Sequence, residues 1–185
     1  MKKLLFISLI LCHSFLHATE NKINLYELYK DAHMPWDWHK PLFDFSDSIG
    51  LTIFSSPFDN TAVDLLEDLG APAYKIASFE ATDLILLEAV ARTGKPIIMS
   101  TGGLNETQIA MSLKALRAHS SSTIELLYCV SSYPAKASDF DVSVIARWKE
   151  KFQVDVHYHN VSLLHILQYQ EDRKKVYLRH QALYY

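Results

Sequence analysis

Three polar clusters stand at the ends of short apolar runs: Phe54-Ser55-Ser56-Pro57-Phe58-Asp59, Ala73-Tyr74-Lys75-Ile76-Ala77-Ser78-Phe79-Glu80 and Ile98-Met99-Ser100-Thr101-Gly102-Gly103. Lys75 is the sharpest candidate for chemistry. It lies inside a strand pattern, where alternation turns it to the opposite face from Tyr74 and Ile76. On an interior face its ammonium needs an anion or a carboxylate partner. The alternative is a strand-end lysine whose head reaches back to water. Ser78 and Glu80 read as continuing the same face past the strand, with Ser56, Ser100 and Thr101 at the matching ends of neighbouring strands. One lysine with two or three hydroxyls binds a phosphate or carboxylate through charge-assisted hydrogen bonds.

Other residues carry weaker signals. Asp59 and Glu80 could pair as acid and base, but Asp59 before Asn60 reads better as a helix-opening residue. Ser131-Ser132-Tyr133-Pro134 follows a fourth strand and adds contacts to the same rim. His157 and His159 could ligate metal; with no acidic partner in a matching position they read as a surface pair. Trp36, Trp38, His39 and Phe43 could stack on a sugar, and the preferred reading is core packing beneath a barrel. Cys12 and Cys129 make no disulfide framework, and Cys129 reads as a small core hydrophobe. Asn160-Val161-Ser162 fits the glycosylation pattern.

Strands are predicted at Leu51–Ser55, Tyr74–Ser78, Pro96–Ser100 and Ile124–Cys129, with a fifth beginning at Phe152–Val156. Between them, Val63, Leu66 and Leu69, then Leu84, Leu87 and Val90, then Ile109, Leu113 and Leu116 recur at helical spacing. Asn60 can cap the first of these helices and Gly70 stop it; Asn105 with Gln108 forms a capping box. A further helix holds Val144, Ile145 and Trp148, and Leu25–Phe45 reads as two helical pieces broken at Pro35 and Pro41. Strand–helix repeats with short connections predict a parallel sheet. A doubly wound sheet would show the same periodicity, but no Gly-x-Gly-x-x-Gly or Walker lysine supports one. The predicted fold is α/β: a partial TIM (β/α)8 barrel of about five parallel strand–helix units, with its site at the carboxyl ends of the strands.

At 185 residues the chain is shorter than the roughly 250 of a complete barrel. Its 18 basic and 21 acidic side chains leave no footprint for nucleic acid. Met1-Lys2-Lys3, the apolar run Leu4–Leu11 and Leu16-His17-Ala18 together describe a secretory signal, too short for a membrane span. A buried first strand or helix is the alternative. The predicted organisation is a signal-like or atypical segment at 1–20, a barrel domain at 24–156 and a divergent tail at 157–185.

This series of motifs, with Leu25-Tyr26-Glu27-Leu28-Tyr29-Lys30 and Pro35-Trp36-Asp37-Trp38-His39 ahead of it, resembles the sialic acid synthase family, which includes N-acetylneuraminate and pseudaminic acid synthases. The pseudaminic acid synthases are the most similar, through Phe79 and the Trp36/Trp38 motif. The resemblance implies a TIM-barrel transferase of carbohydrate biosynthesis, making nonulosonic acids from phosphoenolpyruvate and an N-acetylated amino sugar with release of phosphate. It implies a cytoplasmic homodimer and a divalent metal, manganese or magnesium, that polarises the aldehyde oxygen. Carried over by motif, Lys75, Ser56, Ser78 and Ser100 hold phosphoenolpyruvate, with Ser131 beside them. Glu80 and Tyr133 face the sugar, Glu80 as the catalytic residue.

The pattern departs from the family at both ends. Met1 to Glu20 replaces the family's early strands with their glutamate and lysine. His157-Tyr158-His159-Asn160 stands in place of a Gly-Leu-Ser-Asp-His motif, so no metal ligand is assigned. Tyr128 and Val130 replace the usual lysine and threonine. The expectation is a truncated, inactive synthase-like domain. The alternatives are a non-catalytic half-barrel that binds an intact subunit, and an exported protein of unrelated role.

Overall fold

Apolar runs become short strands and amphipathic stretches become helices, in alternation. The computed structural model describes residues 3–6, 26, 34–130 and 139–159. In order these form β1 (Lys3–Phe6), α1 (Trp36–Ser48), β2 (Leu51–Phe54), α2 (Asn60–Asp68), β3 (Tyr74–Ile76), α3 (Leu84–Arg92), β4 (Ile97–Ser100), α4 (Glu106–His119), β5 (Ile124–Cys129), α5 (Ser143–Phe152) and β6 (Asp155–His159). A 3-10 turn, Glu80–Thr82, precedes α3.

Every strand pair is parallel and follows chain order. β1 pairs with β2, and β3, β4, β5 and β6 pair in succession. A bridge from Ser55 to Tyr74 joins β2 to β3. A doubly wound sheet reverses its strand order at a switch point. The described strands show no reversal, so the sheet is an arc of a barrel, with β2, β3 and β4 each followed by one α-helix.

The strands divide the interior in two. Tyr74, Ile76, Ile97, Met99, Ile124, Leu126 and Val156 face the helices and pack with Val63, Leu66, Leu87, Val90, Ile109, Leu113 and Trp148. Phe54, Ile98 and Leu127 form a second, smaller cluster with Ala73 and Cys129 on the inner face. Tyr74 anchors the outer layer through a polar contact: its hydroxyl donates to Glu67 Oε1 at 2.6 Å, and Lys95 Nζ meets the same oxygen at 2.6 Å. Among the described residues, no helix is long and apolar enough to cross a membrane.

Local chemistry sets the ends of the helices, with some differences from the sequence reading. Asp59, rather than Asn60, caps α2, accepting from Ala62 N at 2.9 Å. Gly70 takes φ +71° past its end, where a side chain would be strained. The capping box of Asn105 and Gln108 is present on α4. Pro35 opens α1, and Pro41 lies within it without breaking it. The amide that Pro41 lacks would reach only the carbonyl of Asp37, in the exposed first turn where water can serve it. Trp36 and Trp38 are not core packing: they are 53% and 56% exposed, because α1 buries only its second half, at Phe43 and Ser46. The last strand also differs in position. Phe152 ends α5, Gln153 turns the chain at φ 53°, and β6 begins at Asp155.

Candidate functional site

Lys75 occupies the inner face of β3, between two residues that belong to the outer core. It is 7% exposed, so its ammonium is held inside rather than reaching to water. In the sheet register it stands opposite Ile98, which stands opposite Glu125. Burial pushes its pKa below the ordinary lysine value, while the charges of Cys129 and Glu80 act in the opposite direction. The sequence reading of Cys129 as a core hydrophobe missed this neighbour. Alternation from Leu127 places Cys129 on the same face, and that signal was present in the chain.

The carboxyl ends of β2, β3 and β4 bring the other predicted residues to the same side of the sheet. Ser100 ends β4 and is buried. Ser56 follows β2, and its Oγ is buried without a hydrogen-bond partner. The other such atom among the described residues is Glu80 Oε2. Leaving a polar atom buried and unpaired costs about 1–3 kcal/mol, more for a charged group. Two of these at one end of the sheet mark where a ligand's polar atoms would fit.

Two other hydroxyls also bond within the fold. Ser78 Oγ accepts the Gly102 N–H at 2.9 Å and so ties the loop after β3 to the loop after β4. Thr101 donates from its hydroxyl (2.8 Å) and its amide (3.0 Å) to Leu127 O. Glu80 does not continue the face of Lys75: strict alternation puts Ser78 and Glu80 with Tyr74 and Ile76, and the strand ends before either. β3 stops at Ile76, and Glu80 opens the 3-10 turn, because the chain must turn there to enter α3. Asp59 is spent on its cap and takes no part as an acid or base. Phe58 and Phe79 stand on the two adjacent loops at this end, and Phe79 is 90% exposed. Ser131 and Tyr133 lie outside the described residues, as does Asn160.

His157 has an acidic neighbour after all. Its Nε2 lies 3.2 Å from Glu125 Oε2 on the adjoining strand, a pairing that sequence spacing does not show because the two residues meet only through the sheet. Among the described residues, no three or more His, Cys, Asp or Glu side chains group as a metal site.

One buried cation and two hydroxyls at strand ends can bind a small anion, and the unpartnered Glu80 oxygen can accept from a hydroxyl of a ligand beside it. The chain is 46% identical over 134 residues to pseudaminic acid synthase of Helicobacter pylori, covering 72% of this chain and 39% of that protein. It is 37% identical over 136 residues to pseudaminic acid synthase of Campylobacter jejuni, covering 74% of this chain and 40% of that protein. The chain thus spans about two-fifths of the length of the curated relatives it matches. Among solved structures, N-acetylneuraminic acid synthetase of Leptospira borgpetersenii superposes with a TM-score of 0.70 at 27% identity, over 89% of this chain and 56% of that one. The NeuB family pattern matches residues 12–165, across β2 to β6 and the candidate pocket, and the chain therefore belongs to the NeuB family.

Proposed function

We propose that this chain forms the phosphoenolpyruvate-binding part of a sugar-acid synthase barrel, the class that condenses phosphoenolpyruvate with an N-acetylated amino sugar in nonulosonic acid biosynthesis. The observation that carries the reading is the meeting of a buried lysine with two orphaned polar atoms, Ser56 Oγ and Glu80 Oε2, at the carboxyl end of the sheet. The identity to two proteins named pseudaminic acid synthase supports a sugar acid of that type.

In this reading Lys75 neutralises the phosphate or carboxylate of phosphoenolpyruvate, and Ser56 and Ser100 donate hydroxyl hydrogen bonds to the same anion. Ser78 keeps the loop after β4 in place and, since its Oγ only accepts there, turns its own proton to the same anion; Ser131 is assigned to the anion by family motif alone. Glu80 offers its unpartnered oxygen to a sugar hydroxyl, with Tyr133 assigned to the same substrate. In the overall reaction one carbon–carbon bond forms, one water is consumed and inorganic phosphate leaves. The family's divalent metal, manganese or magnesium, would polarise the aldehyde oxygen. The described residues do not form a ligand group for it. A cytoplasmic homodimer is part of the same proposal.

The 185 residues taken by themselves are proposed to bind phosphoenolpyruvate without completing the condensation. Calorimetry with phosphoenolpyruvate, and a phosphate-release assay with manganese and the acylated sugar, test both parts. Binding without release is the expected result. A folded chain that does not bind phosphoenolpyruvate would overturn the pocket, and release that disappears in Lys75→Ala would overturn the inactivity.

A further inference from the structure

Ser112 is the odd residue of α4. The helix buries Ile109, Leu113 and Leu116 against the sheet, and Ser112 sits among them at 1% exposure. A helical serine ordinarily returns its hydroxyl to the carbonyl four residues back, and Gln108 O is 2.9 Å away. Ala81 O is nearer, at 2.5 Å, from a turn 31 residues away in the chain. The hydroxyl has one proton, and the shorter contact is the one to which it donates. Ala81 is fully buried, so its carbonyl must find a donor inside the protein.

The turn held in this way carries Glu80. Its other fastenings flank it: Gly102 N–H to Ser78 Oγ at 2.9 Å, Asp83 N–H to Glu80 O at 3.0 Å, and the Asp83 side chain on the first amides of α3. Towards α4 the packing is open, with a cleft of about 160 Å³ lined by Thr82, Leu84, Gln108, Met111 and Ser112. A buried carboxylate oxygen without a partner is drawn towards water, and the cleft leaves the turn room to move.

We infer that Ser112 is a positioning residue for the proposed pocket: its hydrogen bond to Ala81 holds the Glu80 turn so that the carboxylate stays beside Lys75. The inference rests on the reading of Lys75 and Glu80 as pocket residues. Ser112 itself touches no substrate.

The test is an NMR titration of Lys75 in the whole chain labelled with 13Cε-lysine, the resonance assigned by its loss in Lys75→Met. The groups facing Lys75 are Glu80 from the turn and Cys129 from β5, with the Glu125–His157 pair of β5 and β6 next along the inner face. Glu80→Gln is expected to lower the Lys75 midpoint, because a neighbouring negative charge is removed. Ser112→Ala is expected to lower it in the same direction, while Ser112→Thr, which keeps the hydroxyl, leaves it at the wild-type position. Ser112→Cys, near-isosteric but a weak donor, falls between them and serves if the alanine variant does not fold. Wild-type titration in Ser112→Ala or Ser112→Cys, or a Lys75 midpoint insensitive to Glu80→Gln, would overturn the inference. Adding phosphoenolpyruvate to the wild type tests the pocket separately. A Lys75 resonance that ignores phosphoenolpyruvate yet still depends on Ser112 would remove the substrate reading and leave the positioning of Glu80 standing.

Discussion

Lys75→Met separates a substrate lysine from one that holds the fold. Methionine is similar in length and volume, so Phe54, Ile98 and Leu127 keep their packing. Burial lowers the Lys75 pKa further than Cys129 and Glu80 raise it, so the buried ammonium costs the ligand-free fold more than its neighbours return, and an apolar replacement removes that cost; breaking a buried pair the fold depends on would instead cost about 3–5 kcal/mol. The ligand-free variant is therefore expected to match or exceed the wild type in urea unfolding. Its affinity for phosphoenolpyruvate behaves differently. A hydrogen bond between a charged donor and an anion contributes about 1.5–3 kcal/mol, so calorimetry should show the dissociation constant rising about 10- to 150-fold. The pH dependence adds a sign. Burial lowers the folded-state pKa of Lys75 against the opposing pull of Cys129 and Glu80. Between that lowered value and the ordinary lysine value the unfolded chain binds more protons, so stability rises with pH across this window and the cost is constant below it. Lys75→Met should lack that rise. A variant that loses about 3 kcal/mol or more of stability and still binds phosphoenolpyruvate as the wild type does would refute the reasoning.

Two further perturbations test the scaffold. Tyr74→Phe removes the 2.6 Å hydrogen bond to Glu67 and should cost about 1 kcal/mol in urea unfolding at neutral pH. Burial raises the Glu67 pKa, but the hydrogen bonds from Lys95 and Tyr74 and the charge of Lys95 outweigh it and leave the pKa below its ordinary value. That contribution is present above the ordinary carboxylate pKa and is lost as pH falls through the lowered one, so the gap between wild type and Tyr74→Phe should narrow in acid. A gap that widens there would contradict the assignment. Leu87→Ala, at a fully buried position of α3, should cost about 2–5 kcal/mol. Ile85→Ala, at a position 73% exposed on the same helix, should stay within about 0.5 kcal/mol; equal losses would mean that α3 presents a different face to the core.

Much of the fold was legible because its signals are local. A helix stripe repeats within a few residues and a strand alternates within two, so α2, α3 and α4 and the cores of β2 to β5 can be read directly from Val63–Leu66, Leu84–Val90, Ile109–Leu116 and the runs between them. Caps are just as local, and Asn105 with Gln108 was recognisable without any tertiary contact. The opposite orientation of Lys75 from Tyr74 and Ile76 belongs to the same class of information. Boundaries were less secure where two local rules compete, as at Phe152, which suits a strand by type but ends α5 because Trp148 and Val144 extend its helical stripe.

The amino-acid sequence alone thus determined the alternation of strands and helices, the lysine on the minority face of its strand and the family-like order of motifs. Only the tertiary structure decided that the strands pair in chain order as a barrel arc, because pairing order depends on contacts between residues far apart in the chain and leaves no periodic trace. The same reason separates the site residues. Ser78 meets Gly102, His157 meets Glu125 and Ser112 meets Ala81 across intervals that spacing does not encode. Trp36 and Trp38 have the composition of a core and stand in solvent, because burial is set by what packs against a helix and not by the helix itself.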